Sequence, residues 1–441
     1  MITARFIRNK RLLRIASARW QRRAIFLLGG IVIGAAAVVL AQLADLAQDA
    51  FGLLLAKSRY VVLVVTPLGF MLSAYLTIRL FPGAQGSGIP QAIAARHLND
   101  QTARARLVSL RIAAGKMILT LFGLLCGASI GREGPTVQVG ASVMFAIARV
   151  SPRRQPGLIL AGAAAGVAAA FNTPLAGIVF GIEEMSRAFE TRTSSLIIAA
   201  VIAAGLTSLA LTGNYTYFGS SAMSLARGAD WLAVPVCGVV GGLGGGLFSR
   251  VVILMARGVR HPLGRALKSH PLWFAFACGL AVAICGLASG DTIYGTGYAQ
   301  VKTALENGSP LPQDFGILKL FATTFAAISG VPGGIFAPSL AVGAGLGSNI
   351  ASFFHDAPLG AIMLLGMVSY FAGVVQAPIT AFVIVTEMTD NHGMVVPLMA
   401  AALIAHLVSR MVCEEGIYHA LAKGFVEQAI LPPERSQAER R

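Results

Sequence analysis

The apolar runs of this sequence come in two lengths, and that contrast constrains the fold more than any other feature. Long runs lie near 24–55, 59–81, 112–130, 195–212, 231–257, 272–289 and 394–413. Shorter ones lie near 137–150, 158–171, 174–186, 337–354, 361–375 and 378–389. At ~1.5 Å per residue, crossing ~30 Å of hydrocarbon takes about 20 residues, so many of the short runs cannot span alone. Glycine and proline punctuate them. Broken helices at membrane depth survive only where their backbone is buried in protein or lines a wet cavity. The pattern predicts an all-α polytopic membrane protein of broken and tilted helices.

Composition supports the membrane reading. The 441 residues are 56% hydrophobic and 12% charged, about half the charge of an ordinary soluble domain. Glycine, at 50 residues, suits close approach of helices in a bilayer. The net charge of +16 is uneven. Arg5, Arg8, Lys10, Arg11, Arg14, Arg19, Arg22 and Arg23 precede the first apolar run, and further basic clusters lie at 104–111, 153–154, 257–268 and in the C-terminal tail. This is the positive-inside pattern. It predicts a multi-pass protein of the cell (inner) membrane, in contact with lipid, with both termini cytoplasmic and no nucleic-acid partner. No cleaved signal peptide is expected. The five cysteines show no CxxC spacing and the seven histidines no HExxH, so neither a disulfide framework nor a metal site is expected.

The chain repeats itself. "GREGPTVQVGA" (131–141) aligns with "GIFAPSLAVGA" (334–344), with identity at five positions. Some thirty residues on, "GAAAGVAAAFNTPLAGIVFGIEEM" (162–185) aligns with "GMVSYFAGVVQAPITAFVIVTEM" (366–388), with the same Gly-to-Pro spacing and a terminal Glu beside Met. The expected organisation is a basic cytoplasmic segment (1–23), a first repeat (24–215), a linker (216–227), a second repeat (228–425) and a short cytoplasmic tail (426–441). Repeats of this kind are commonly inverted and place a substrate site where they meet.

Three segments share one design: "GSGIP" (86–90), "GREGP" (131–135) and "GGIFAP" (333–338). Each is a glycine turn leading to a proline suited to a first helical turn. Helix N-termini offer unpaired N–H donors and a partial positive charge. Several converging would cradle an anion without a full cation, which allows the ion to leave again. An acid inside an apolar run is costly and marks a functional candidate. Glu133 and Glu184 are such acids. Glu183 and its repeat partner Glu387 are read as structural, and Arg132 as an anchor or part of an outer vestibule.

Taken in order, GSGIP, GREGP and GGIFAP, with Tyr418 in "GIYHALAKG", resemble the signature segments of the CLC family of chloride channels and chloride/proton exchangers. The resemblance covers essentially the whole membrane region and implies a homodimer with one pore per subunit. It implies that Ser87 and Tyr418 coordinate a central chloride or similar monovalent anion, together with the backbone N–H groups of Ile335 and Phe336. Arg132, Gly134 and Ala337 would serve an outer site through their backbone, and Gly86 and Ser87 an inner one. Glu133 matches the gate and outer proton acceptor, and Glu184 the inner proton-transfer residue of the exchangers. The implied function is chloride/proton antiport. The alternative is an uncoupled or weakly coupled, voltage- or pH-gated chloride channel of the same fold.

One departure stands out. Exchangers carry an acid shortly after GSGIP, whereas here the segment reads "GSGIPQAIAARH", with Gln91 and Ile93. Lys116, which matches the lysine that would pair with that acid, is left to Glu183, Glu184 or water. No enzyme is expected, since HExxH, GxSxG and GxGD-like patterns are missing, and no cofactor beyond the transported ions. The residues after Tyr418 are too few for the paired nucleotide-binding domains of many relatives, so nucleotide regulation is not expected.

Overall fold

The structure is a computed structural model that describes residues 2–148, 154–186, 191–213, 216–219, 223–225, 228–258, 269–354 and 356–430. The basic stretches at 153 and 259–268, and most of the tail expected at 426–441, lie outside the described residues. The first half comprises α1 Ile2–Lys57, α2 Val62–Leu80, α3 Ile89–His97, α4 Gln101–Leu107, α5 Leu110–Leu125, α6 Glu133–Ile147, α7 Gln155–Phe171, α8 Pro174–Phe180 and α9 Thr191–Thr212. The second comprises α10 Ala233–Arg257, α11 Pro271–Ala288, α12 Tyr298–Asn307, α13 Phe315–Ile328, α14 Phe336–Ala351, α15 Leu359–Val375, α16 Pro378–Thr389 and α17 Val395–Val412, followed by α18 Ile417–Ile430. Among the described residues there is no strand, and 6 helices or helix pairs are long and apolar enough to cross a membrane.

The two run lengths become two shells. The outer helices show leucines such as Leu46, Leu53 and Leu407 to their surroundings, while α6, α7, α14 and α15 are almost wholly buried. These inner helices pack in the pairs α6–α7 and α14–α15. Glycine makes the packing possible. A Cβ on Gly140 would strike the Gly162 carbonyl and a Cβ on Gly162 that of Gly140, and Gly343 and Gly366 meet in the same way at the matching place.

The halves are inverted repeats. Matching positions share unusual backbone: Asn172 at φ 56 and Gln376 at φ 60 end α7 and α15, and each is followed two residues later by the proline that opens the next helix. The repeat also extends further than the sequence comparison showed. "GTGYAQ" (295–300) is the mate of "GSGIPQ" (86–91), with Gly295 at φ 62 against Gly86 at φ 61.

The halves are tied across their two-fold relation by reciprocal contacts. Gly131 N–H donates to the Gly334 carbonyl at 2.7 Å, and Gly334 N–H donates back to Gly131 at 2.7 Å. Glu183 accepts from the N–H groups of Ile379 (3.1 Å) and Thr380 (2.6 Å) at the start of α16. Its mate Glu387 accepts from Leu175 (3.0 Å) and Ala176 (2.7 Å) at the start of α8. Each half thus caps a helix of the other, using a negative charge where the helix dipole favours it.

Lys116 takes none of the partners that the sequence suggested. Its buried ammonium donates to the Ala84 carbonyl at 2.6 Å and also to that of Gly86, and so fixes the loop that leads into GSGIP. Lys319, its mate, donates to Ile293 and Gly295 at 2.7 Å in the loop that leads into GTGYA. Replacing Glu387 with alanine strips two helix-start N–H groups of their acceptor. Glu387→Ala is expected to cost about 1–3 kcal/mol, seen as a lower unfolding temperature in detergent, with Glu183→Ala behaving alike.

Candidate functional site

Three of the glycine loops interlock at the centre. Besides the Gly131–Gly334 pair, Gly333 N–H donates to the Gly86 carbonyl at 3.0 Å. Gly88, in the left-handed region at φ 102, lies against Gly134: a Cβ there would come 2.9 Å from the Gly134 carbonyl. Gly134 in turn lies against Ser87 and Gly334, since its own Cβ would come 2.7 Å from the Ser87 carbonyl and 3.1 Å from the Gly334 Cα. The N-termini of α6 and α14 and the turn before α3 therefore meet at one point, and only residues without a Cβ permit it.

Glu133 heads α6 and is fully buried. Its carboxylate bends back against Gly131, where a Cβ would come 3.4 Å from the carboxylate carbon and 3.1 Å from Pro338 at the start of α14. Tyr217 Oη donates to Oε1 from the other side at 3.4 Å, while Oε2 has no partner within the chain. The carboxylate thus sits at the start of α6, where the helix dipole favours a negative charge. Arg132, 7% exposed, is held away from that point by α1: its guanidinium donates to Asp45 at 2.9 Å and to the Ala41 carbonyl at 2.6 Å.

Ser87 and Tyr418 lie on the other side of Gly134. Both hydroxyls are buried, and neither is placed for a hydrogen bond of normal geometry, even with the other nearby. Buried hydroxyls without partners are rare in native structures and call for an explanation. Tyr418 packs at a tilt against Phe336, with ring centroids 5.8 Å apart, and Phe336 packs on Phe171, Phe180 and Phe371. Ile335 caps α14, so the N–H groups of its first turn lack intrahelical acceptors. Every residue named for the anion path from sequence, namely Gly86, Ser87, Arg132, Gly134, Ile335, Phe336, Ala337 and Tyr418, falls on these three helix starts or on the first turn of α18.

Glu184 stands apart from this cluster. It sits on a π-helical turn, Gly181–Ser186, that continues α8, and it is 3% exposed. The wider turn separates the two adjacent acids. Glu183 reaches across to α16, while Glu184 Oε1 lies 3.1 Å from His419 Nδ1 on α18. Tyr418 is within electrostatic reach of both Glu133 and Glu184.

Several residues escaped the sequence reading. Tyr217 lies in the segment expected to be a linker, yet it is buried against Glu133 and meets Tyr298 of GTGYA edge to face, with centroids 4.6 Å apart. GTGYA itself lacks the proline that marked the other loops, and could have been found by extending the repeat back from GREGP. His419 carried no motif.

This architecture defines an integral membrane protein of inverted repeats whose broken helices meet at a buried glycine-lined centre. The chain belongs to the voltage gated chloride channel (CLC) family, whose profile matches residues 69–410. The H(+)/Cl(-) exchange transporter ClcA of Yersinia pestis bv. Antiqua (strain Angola) is 33% identical over 431 residues, covering 90% of this chain and 87% of that protein. The protein of the same name from Citrobacter koseri is 32% identical, covering 86% of this chain and 84% of that one. Two crystal structures share the fold. One is a CLC-type fluoride/proton antiporter (TM-score 0.76, 22% identity, 91% of this chain and 97% of that one). The other is a slow cyanobacterial Cl-/H+ antiporter (TM-score 0.73, 24% identity, 92% and 97%).

The glycine contact gives a direct test. Gly134→Ala forces a methyl against Ser87 and Gly334, so a destabilisation of about 1–3 kcal/mol from overpacking is expected, read as a lower unfolding temperature in detergent.

Proposed function

We propose that this protein is a chloride/proton antiporter of the cell (inner) membrane, working as a homodimer in lipid with both termini cytoplasmic. The observation that carries the reading is the position of Glu133. Its carboxylate lies against Gly131 where the starts of α6 and α14 meet, beside the unpartnered hydroxyls of Ser87 and Tyr418. A carboxylate in that place blocks an anion, and the anion can take the place only when the carboxylate leaves. Protonation removes the charge that holds it there, so anion entry and proton uptake become one event.

In this reading chloride is the substrate. Ser87 and Tyr418 donate hydroxyl hydrogens to it at the central site, with the N–H groups of Ile335 and Phe336 from the start of α14. Arg132, Gly134 and Ala337 form the outer site through their backbone, and Gly86 with Ser87 the inner one. Neutral donors and dipoles bind the ion without the depth of a full cation, which favours release. Glu184 is the inner proton-transfer residue. Its burial on the π turn, at the end of a sequence otherwise apolar, favours the exchanger over a channel of the same fold, which has no use for a second buried acid.

Two measurements on purified protein in liposomes test this. Under a chloride gradient, wild-type protein is expected to move protons uphill. Glu133→Ala and Glu184→Gln are each expected to abolish proton movement while chloride flux persists, and coupled transport in either variant would remove that residue from its role. In calorimetry, Tyr418→Phe is expected to weaken chloride binding by about tenfold, the loss of one hydrogen bond to a charged group. Unchanged affinity would remove Tyr418 from the site.

A further inference from the structure

α18 divides two cavities. One, of 630 Å³, is bordered by His419, Ala422, Lys423 and Val426 on one face of that helix. The other, of 290 Å³, is bordered by Leu421, Gly424, Phe425 and Gln428 on the opposite face, and it reaches Gly86 and Ser87. The smaller cavity therefore leads to the anion path. The larger one leads elsewhere. Its rim carries the exposed Arg410, Glu414, Lys423 and Glu427, so it opens to solvent, and at its inner end stands the imidazole of His419.

Glu184 borders neither cavity. Being 3% exposed, it needs an intermediary to exchange protons with water. The ring of His419 is in that position. Its side chain is 17% exposed, it faces the larger cavity, and its Nδ1 is 3.1 Å from Glu184 Oε1. The other ring nitrogen, Nε2, lies on the edge away from Glu184. We propose that His419 is the proton relay between the larger cavity and Glu184, in the place left by the acid missing after GSGIP. The proposal rests on Glu184 being the inner proton-transfer residue.

The step balances without any further reagent. A hydronium ion of the cavity water gives its proton to Nε2 and is left as water, and the ring becomes imidazolium. The N–H bond at Nδ1 breaks as its proton passes to Glu184 Oε1, and the ring is neutral again in the other tautomer. A ring rotation that brings Nδ1 to the cavity lets water protonate it while Nε2 gives its proton up, and rotation back restores the starting tautomer. Imidazole suits the task because it can accept a proton at one ring nitrogen and donate one from the other.

The charges around the ring come from every neighbouring element. His97 on α3 is close enough to interact with it, and Arg96 beside it donates to the Met185 carbonyl at 2.6 Å, next to Glu184. His406 and Arg410 come from α17, and Glu414 and Glu415 from the turn before α18. Glu415 is already engaged, by Lys423 at 2.6 Å and Arg257 at 3.0 Å. His419 is the group of this set that both lines the larger cavity and lies within hydrogen-bond distance of Glu184.

The test uses full-length protein in liposomes with simultaneous chloride and proton recording. His419→Asn keeps a donor near the Nδ1 position, so it can hold Glu184 but cannot take up a proton and pass it on. His419→Ala removes both capacities and leaves room for added imidazole from the cavity. Proton flux is expected to fall by about tenfold or more in both variants, with chloride flux retained, and imidazole is expected to restore it in His419→Ala. Wild-type proton flux in His419→Asn overturns the relay. So does a loss in both variants that imidazole does not restore, which would assign His419 to holding Glu184 in place. Glu184→Gln separates the two levels. If proton flux survives there, the reading of Glu184 has failed. If it stops there but runs in His419→Asn, only the relay has failed.

Discussion

Two backbone hydrogen bonds between Gly131 and Gly334 hold the centre of the molecule, and the rest of the site depends on them. They can form only because neither residue has a side chain. A Cβ on Gly334 would come 2.9 Å from Gly134 N, and one on Gly131 would meet Pro338 and the Glu133 carboxylate. Given that contact, the starts of α6 and α14 must face the same point, with their unpaired N–H groups directed toward it. Such groups cannot be left in hydrocarbon, so the short helices must be enclosed. The outer shell of long apolar helices follows from this requirement. The hydrophobic pattern and the polar centre are two sides of one constraint.

Two buried lysines complete the frame. Lys116 and Lys319 each bind carbonyls of the loop before a glycine segment, at repeat-related places. A buried cation needs compensation, and here the carbonyl dipoles of an irregular loop supply it. The cation is thereby satisfied locally, facing the backs of the loops, and the loops are held in a conformation that glycine alone would leave loose. This also explains why Lys116 has no need of an acid.

Much of the fold was legible because the membrane enforces it. Run lengths, proline positions and the repeat of GREGP in GIFAP pointed to broken helices in two related halves, and the helices lie where the runs do. The acids were legible because an acid in an apolar run must have a reason. What stayed hidden depended on contacts between distant residues. Tyr217 lies in a stretch with no apolar period, and its place beside Glu133 appears only when the chain is folded. The repeat of GSGIP in GTGYA was masked because α4 (Gln101–Leu107) shifts the register of the first half. Glu183 was already set apart from Glu184 in the sequence reading, but the π turn that aims them at different partners is what no spacing rule foretells. Arg104, in a basic cluster read as part of the positive-inside pattern, is 6% exposed and donates to Gln155 at 2.7 Å, a contact that charge counting does not show.

The capping of each half by the other has a mechanical consequence. A carrier that rocks one half against the other must part the surfaces between them at every cycle. Here that would mean withdrawing Glu387 from α8 and Glu183 from α16, and breaking the Gly131–Gly334 pair, all in a medium with no water to replace the lost bonds. The cost would recur with each ion moved. A body stapled at both ends and in the middle favours the opposite economy of motion, in which the scaffold stays still and the travelling part is no larger than a side chain.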